Sequence, residues 1–287
     1  MPPPRLLADG LTLFEDVLPA PEQRALLAAV ERWLSSGRRG ALAGKAYQRP
    51  PDEWLRSGQS RETIQFGAYV KCNKVSHAAV PPLPAELARL LERLEAAAVF
   101  TAAQRPDSCC VNVYEPGCWL PPHVDSAAFD RPFFTLSLAS AQRVVFGEHI
   151  GGERGEWHGE LSVLMPEGSV LRLDGLAAGP WKHALPRATR RRVSLTFRKL
   201  GAESRARFEA IRQASAEAAE ARRARCLAKK ALRGRKPRVV AGEAGARLLW
   251  AWTMREHILA RQSEVAVPAS PWERRSDGAP GSCASAE

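Results

Sequence analysis

Two short stretches of this chain place metal-binding donor atoms at useful spacing. His123-Val-Asp125 sets an imidazole and a carboxylate two residues apart. On an extended segment such residues project to one face, so both can reach one ion. A third donor, His183, follows 58 residues after Asp125. Two histidines and one carboxylate form the facial donor set of non-haem Fe(II), with the remaining positions open to a cosubstrate and oxygen. His149 or His158 would be the replacements for His183, although neither precedes a strand with paired arginines. Those two, with His77 and His257, have no carboxylate or cysteine at ligand spacing, and surface or loop roles are expected for all four.

The strand-like run Arg192-Val-Ser-Leu-Thr-Phe-Arg198 carries arginines an even six residues apart, hence on one face. A buried guanidinium needs an anionic partner, and its planar fork suits the far carboxylate of a 2-oxo acid whose other end chelates the metal. The plain alternative is that Arg192 merely continues the surface run from Arg190. Asn112-Val-Tyr114 offers an amide and a phenol two apart on a preceding strand. Alone, such a tyrosine reads as a core residue; the order of the four motifs carries the argument.

These groups need a scaffold that brings distant segments together. Leu11–Leu18 reads as an extended entry, and Pro21 opens a helix with Leu26, Leu27, Val30, Trp33 and Leu34 on one face. Residues 35–51 read as a loop, 63–70 lean to strand, and a second helix is expected from Pro84 to about Phe100. Then come six β-rich runs, 109–114, 133–140, 143–146, 160–165, 169–173 and 192–199, separated by turn residues such as Pro166-Glu167-Gly168. Helices followed by many short strands imply an α+β fold around a jelly-roll sandwich.

The 287 residues are 45% hydrophobic with a formal charge of +11, enough for a sizeable core and pointing toward polyanions. The charge is concentrated: residues 201–240 hold twelve Lys/Arg against four Asp/Glu, net +8. Residues 1–200 are expected to form the catalytic domain, 201–240 a basic helical extension, and 241–287 a helix near 245–262 followed by a disordered tail. Arg233-Gly-Arg-Lys-Pro237 is like an AT-hook core, and the basic run serves equally well as a nuclear import signal, a phosphate-binding arm or a solvated helix. The six cysteines show no CxxC spacing and read as free thiols in a reducing compartment. No apolar run is long enough to span a membrane.

Taken in order, Asn112-Val-Tyr114-Glu-Pro-Gly, His123-Val-Asp125, His183 and the Arg192–Arg198 strand resemble the AlkB-type Fe(II) and 2-oxoglutarate dioxygenases over residues 11–200. Arg131-Pro-Phe-Phe-Thr-Leu-Ser-Leu, Val145-Phe-Gly147, Gly168-Ser-Val-Leu, Lys182-His-Ala-Leu-Pro186 and Arg61-Glu-Thr-Ile-Gln-Phe-Gly67 resemble the branch of animal and plant RNA N6-methyladenosine demethylases. The resemblance implies a double-stranded β-helix core with a nucleotide lid at about 35–80. It implies iron on His123, Asp125 and His183, and 2-oxoglutarate on Arg192, assisted by Asn112 and Tyr114. Arg198 would line the inner end of the site or the substrate. Ser194 departs from the Asn of many relatives, which removes one hydrogen bond to the cosubstrate or routes it through water. Tyr47, Arg49 and Trp54 are loose candidates for reading the base. The implied reaction uses O2 and releases succinate, carbon dioxide and formaldehyde, with ascorbate helpful in vitro. Single-stranded RNA is the expected partner of a nuclear or cytoplasmic monomer, with single-stranded DNA, other methylated bases or protein as alternative substrates. A noncatalytic nucleic-acid-binding protein on the same fold is the rival class.

Overall fold

The computed structural model describes residues 2–71, 74–76 and 80–234. The expected helix at 245–262, the disordered tail and most of the AT-hook-like stretch lie outside them. Two compact units divide between Ile211 and Arg212. In the first, a hairpin of β1 (Arg5–Ala8) and β2 (Leu11–Phe14) leads into α1 (Ala20–Arg38). Leu26, Val30 and Leu34 recur every four residues and bury one stripe of α1. The lid region then contains β3 (Tyr47–Gln48), α2 (Asp52–Ser57), β4 (Glu62–Phe66), β5 (Tyr69–Lys71) and β6 (Lys74–Ser76).

Helix α3 (Ala85–Ala96) stops four residues before the expected Phe100. Ala98 turns to φ +55°, while Ala98 N–H donates to the Glu95 carbonyl and Val99 N–H to that of Leu94. This is a Schellman ending, which satisfies the last carbonyls and turns the chain away.

The remaining strands are β7 (Ser108–Tyr114), β8 (Leu120–His123), β9 (Phe129–Leu138), β10 (Gln142–Gly147), β11 (Gly151–Glu153), β12 (Glu156–His158), β13 (Leu161–Met165), β14 (Val170–Leu173), β15 (Lys182–Leu185) and β16 (Arg192–Leu200). A short α4 (Gly175–Ala178) precedes β15, and α5 (Ala202–Gly234) follows β16. The large antiparallel sheet runs β1-β2-β14-β9-β16-β7-β4-β3, and a smaller one runs β13-β10-β15-β8. Together they form the jelly-roll core expected of an α+β chain.

Two hydrophobic cores hold the layers. The stripes of α1 and α3 pack on Val111, Val113, Leu136, Val193 and Leu195 of the large sheet. Leu13, Phe133 and Leu171 of the same sheet meet Val144, Phe146 and Val163 of the small one. Because strand side chains alternate, β7 and β16 send their apolar residues to the helices and their polar ones inward, between the sheets. The inward set is Cys110, Asn112 and Tyr114 on β7, and Arg192, Ser194, Thr196 and Arg198 on β16. Neighbouring strands align Ser194 with Asn112 and Thr196 with Cys110.

Candidate active site

The two histidines approach through the small sheet. His123 on β8 and His183 on β15 are direct register partners, with ring centroids 4.3 Å apart. The His123 Nδ1 lies 2.9 Å from the Pro121 carbonyl, which accepts its proton and leaves Nε2 as the free donor atom. Pro121 and Pro122 are tolerated in β8 because it is the outer strand of its sheet. Asp125 was expected to share that strand, but β8 ends at His123 and the aspartate stands in the extended loop beyond it. One donor atom from each of His123, Asp125 and His183 lies within 4.8 Å of the others. Nitrogen, nitrogen and carboxylate oxygen around one point fit Fe(II) and leave room for further ligands.

Arg198 does more than line the site. Its Nη2 lies 2.9 Å from Asp125 Oδ1 and 3.0 Å from Oδ2, and its Nε lies 3.2 Å from Oδ2. Burial by itself would raise the Asp125 carboxyl, but Arg198 and the two histidines hold it well below the usual carboxylate range. Burial, with His123 alongside, pushes His183 down to about 3. Burial also lowers His123, against the pull of Asp125. Both imidazoles are therefore neutral at physiological pH, the form that binds a metal.

Arg192 is 3% exposed. Its Nε has no hydrogen-bond partner, its Nη2 meets only the weak acceptor Met165 Sδ at 3.8 Å, and its guanidinium carbon stands 5.7 Å from the centre of the Tyr114 ring. Burial lowers its affinity for its proton, and Tyr114 is the one group that raises it. A buried cation without a carboxylate is costly unless an anion joins it. The far carboxylate of 2-oxoglutarate has the charge and the planarity to do so. Asn112 on β7 faces Ser194, two residues along β16 from Arg192: its Nδ2 donates to the Cys110 carbonyl at 3.3 Å and makes a long contact with Ser194 Oγ at 3.5 Å.

Two arginines that carried no assigned role in the sequence reading also build the site. Arg61 Nε donates to Asn112 Oδ1 at 2.9 Å. Arg131 donates to four main-chain carbonyls, those of Asp125 (3.1 Å), Ser126 (3.0 Å), Phe129 (2.7 Å) and Ala178 (3.1 Å). It thereby pins the Asp125 loop against α4. Both lie within the Arg61–Gly67 and Arg131–Leu138 stretches, yet their partners lie on other segments or on main-chain carbonyls, and nothing in local spacing announces them. Of the lid candidates, Tyr47 is tied down: its hydroxyl donates to Glu62 at 2.5 Å and its ring lies against Gly37. Arg49 pairs with Asp52. Trp54 is 37% exposed on α2.

The family model described as the 2OG-Fe(II) oxygenase superfamily matches residues 10–198, which contain every one of these groups. This chain belongs to that superfamily. Among curated oxygenase relatives, the RNA demethylase ALKBH9B of Arabidopsis thaliana is 36% identical over 69% of this chain and 40% of its own length. The RNA demethylase ALKBH10B of the same plant is 27% identical over 66% of this chain and 34% of its own length. The chain thus spans less than half the length of either relative. The solved structure of OsALKBH1 aligns with a TM-score of 0.46 at 18% identity, covering 69% of this chain and all of that one.

Proposed function

We propose that this oxygenase removes methyl groups from N-methylated bases, foremost N6-methyladenosine in single-stranded RNA. The observation that carries the cosubstrate half of this reading is the buried Arg192, which has no carboxylate partner among the described residues, in a fold that also gathers three metal donors. The RNA half is supported by relatives that bear the name RNA demethylase. His123, Asp125 and His183 would hold the iron, and Arg192, Asn112 and Tyr114 the 2-oxoglutarate. When bound, these supply with O2 the oxidation that turns an N-methyl into an N-hydroxymethyl group, which leaves as formaldehyde alongside succinate and carbon dioxide.

The chain's own residues provide geometry. Arg198 and Arg131 hold Asp125 in place from its carboxylate and its carbonyl, so the ligand is preorganised before any ion arrives. Burial keeps both histidines unprotonated. Phe146, its ring centroid 5.9 Å from that of His183, and Phe129 and Phe133, 5.5 and 5.8 Å from the Arg198 guanidinium, give the three donors apolar neighbours. A stacked, paired base cannot reach such an interior, so unpaired RNA is the cheaper substrate. Residues 222–238, with nine Lys/Arg and no Asp/Glu, are suited to the phosphate backbone.

The test is turnover of a panel of methylated RNA and DNA oligonucleotides by protein supplied with Fe(II), 2-oxoglutarate and ascorbate, with His123→Ala as control. Formaldehyde and succinate should appear together, most with N6-methyladenosine in unpaired RNA. If no member yields succinate while RNA still binds, the enzymatic reading is wrong and the scaffold serves as a docking module.

A further inference from the structure

Arg61 reaches the site from the lid side. The short segment bearing it is bolted down at successive points. Trp119 Nε1 donates to the Ser57 carbonyl at 3.1 Å, Trp119 N–H donates to the Gly58 carbonyl at 2.8 Å, and Ser60 Oγ meets Cys118 Sγ at 3.0 Å. Gly58 has φ +82°, and a Cβ there would stand 2.9 Å from the Gly117 carbonyl, so the close seat depends on glycine. Arg61 follows immediately and gives its Nε to Asn112 Oδ1.

A guanidinium can only donate, and the Cys110 carbonyl on the other side of the Asn112 amide can only accept. Between them they settle which end of the amide faces which way. Oδ1 turns to the lid, and Nδ2 turns toward Ser194 on the strand that also carries Arg192. The amide thus presents a donor to that row. We infer that Arg61 is a positioning residue that holds the Asn112 donor toward the 2-oxoglutarate carboxylate, so that seating of the α2 lid and affinity for the cosubstrate are coupled. This rests on the cosubstrate reading proposed above.

The test is calorimetric titration of 2-oxoglutarate into the Mn(II)-loaded protein, a redox-silent form that needs no turnover. Arg61→Gln should weaken 2-oxoglutarate binding about ten- to a hundredfold, the worth of one charged hydrogen bond, with Mn(II) affinity unchanged. Gly58→Ala should move it in the same direction. In an Asn112→Ala background, Arg61→Gln should add nothing, because the guanidinium acts through that amide. Arg192→Gln separates the two claims. If it abolishes 2-oxoglutarate binding while Arg61→Gln leaves it unchanged, the coupling is wrong and the cosubstrate site stands. If Arg61→Gln weakens RNA binding alone, the residue reads substrate and the inference is overturned. If Arg192→Gln binds like the parent, the cosubstrate reading falls and takes the coupling with it. Circular dichroism melts of each variant establish that the fold is retained.

Discussion

Replacing Arg198 with Met would leave the Asp125 carboxylate, 11% exposed, without the guanidinium that now contacts both its oxygens. Removing one member of a buried pair costs about 3–5 kcal/mol, because the remaining charge stays desolvated. Arg198 itself is 14% exposed, so water can reach part of the gap and the lower end, about 3 kcal/mol, applies. A domain of this size loses about 2–4 °C of Tm per kcal/mol, so the metal-free variant should melt about 6–12 °C below the parent. A divalent cation at the three donors supplies the missing positive charge. Saturating Mn(II) should therefore narrow the gap between variant and parent, and the double variant Asp125→Asn/Arg198→Met should be more stable without metal than Arg198→Met alone. The assay is thermal unfolding by circular dichroism, in a chelator and then in Mn(II). A metal-free Arg198→Met that melts within about 2 °C of the parent, or a gap that Mn(II) leaves untouched, refutes the claim that this pair carries the charge balance of the site.

Arg131→Met strips donors from four main-chain carbonyls around Asp125. We expect a stability loss of about 2 kcal/mol, since the residue is only half-buried, and metal affinity weaker by about tenfold in a chelator competition. Ala98→Gly should stabilise the domain by about 1 kcal/mol, raising Tm by about 2–4 °C, because the residue sits at φ +55° where a side chain is penalised. The metal-free domain should also lose stability as pH falls. His183 and His123 are held below the ordinary imidazole value of about 6.5, so the unfolded chain takes up protons that the folded one refuses. Stability is full above about 6.5 and declines as pH drops toward 3; a urea midpoint flat between pH 7 and 4.5 would contradict this.

The helix stripes and strand alternation could be read because burial imposes a period on residue type: Leu26/Val30/Leu34 and Phe134/Leu136/Leu138 declare their faces. The sequence also carried the donor spacing of His123 and Asp125. It did not reveal that Pro121 and Pro122 sit in a strand, since proline is disfavoured there except at an edge, and edge position is a property of the assembled sheet. Nor did it reveal α2 within the lid, whose residues are all exposed or half-exposed and leave no periodic trace. Arg61 and Arg131 escaped for a third reason: each acts on a segment distant in sequence or on main-chain carbonyls, which have no residue signature. Tyr47 was visible as an aromatic in the lid, but its bond to Glu62 belongs to the folded state.

His123 and His183 occupy one rung between β8 and β15. The bite between two of the three donors is thus set by interstrand spacing. The hairpin of β11 and β12 could be exchanged without changing the width of the rung, but the Trp157 ring packs 5.5 Å from that of Trp119 and the Gly155 carbonyl accepts from Arg187 N–H, so the exchange would loosen the tryptophan that seats α2. A slip of β15 by a single residue is a different matter: it would carry His183 to the opposite face and leave the centre with one imidazole. For anyone grafting new recognition onto this scaffold, the hairpin is usable only with a replacement that keeps the seat of Trp119, and the intolerant point is the four-residue strand Lys182–Leu185.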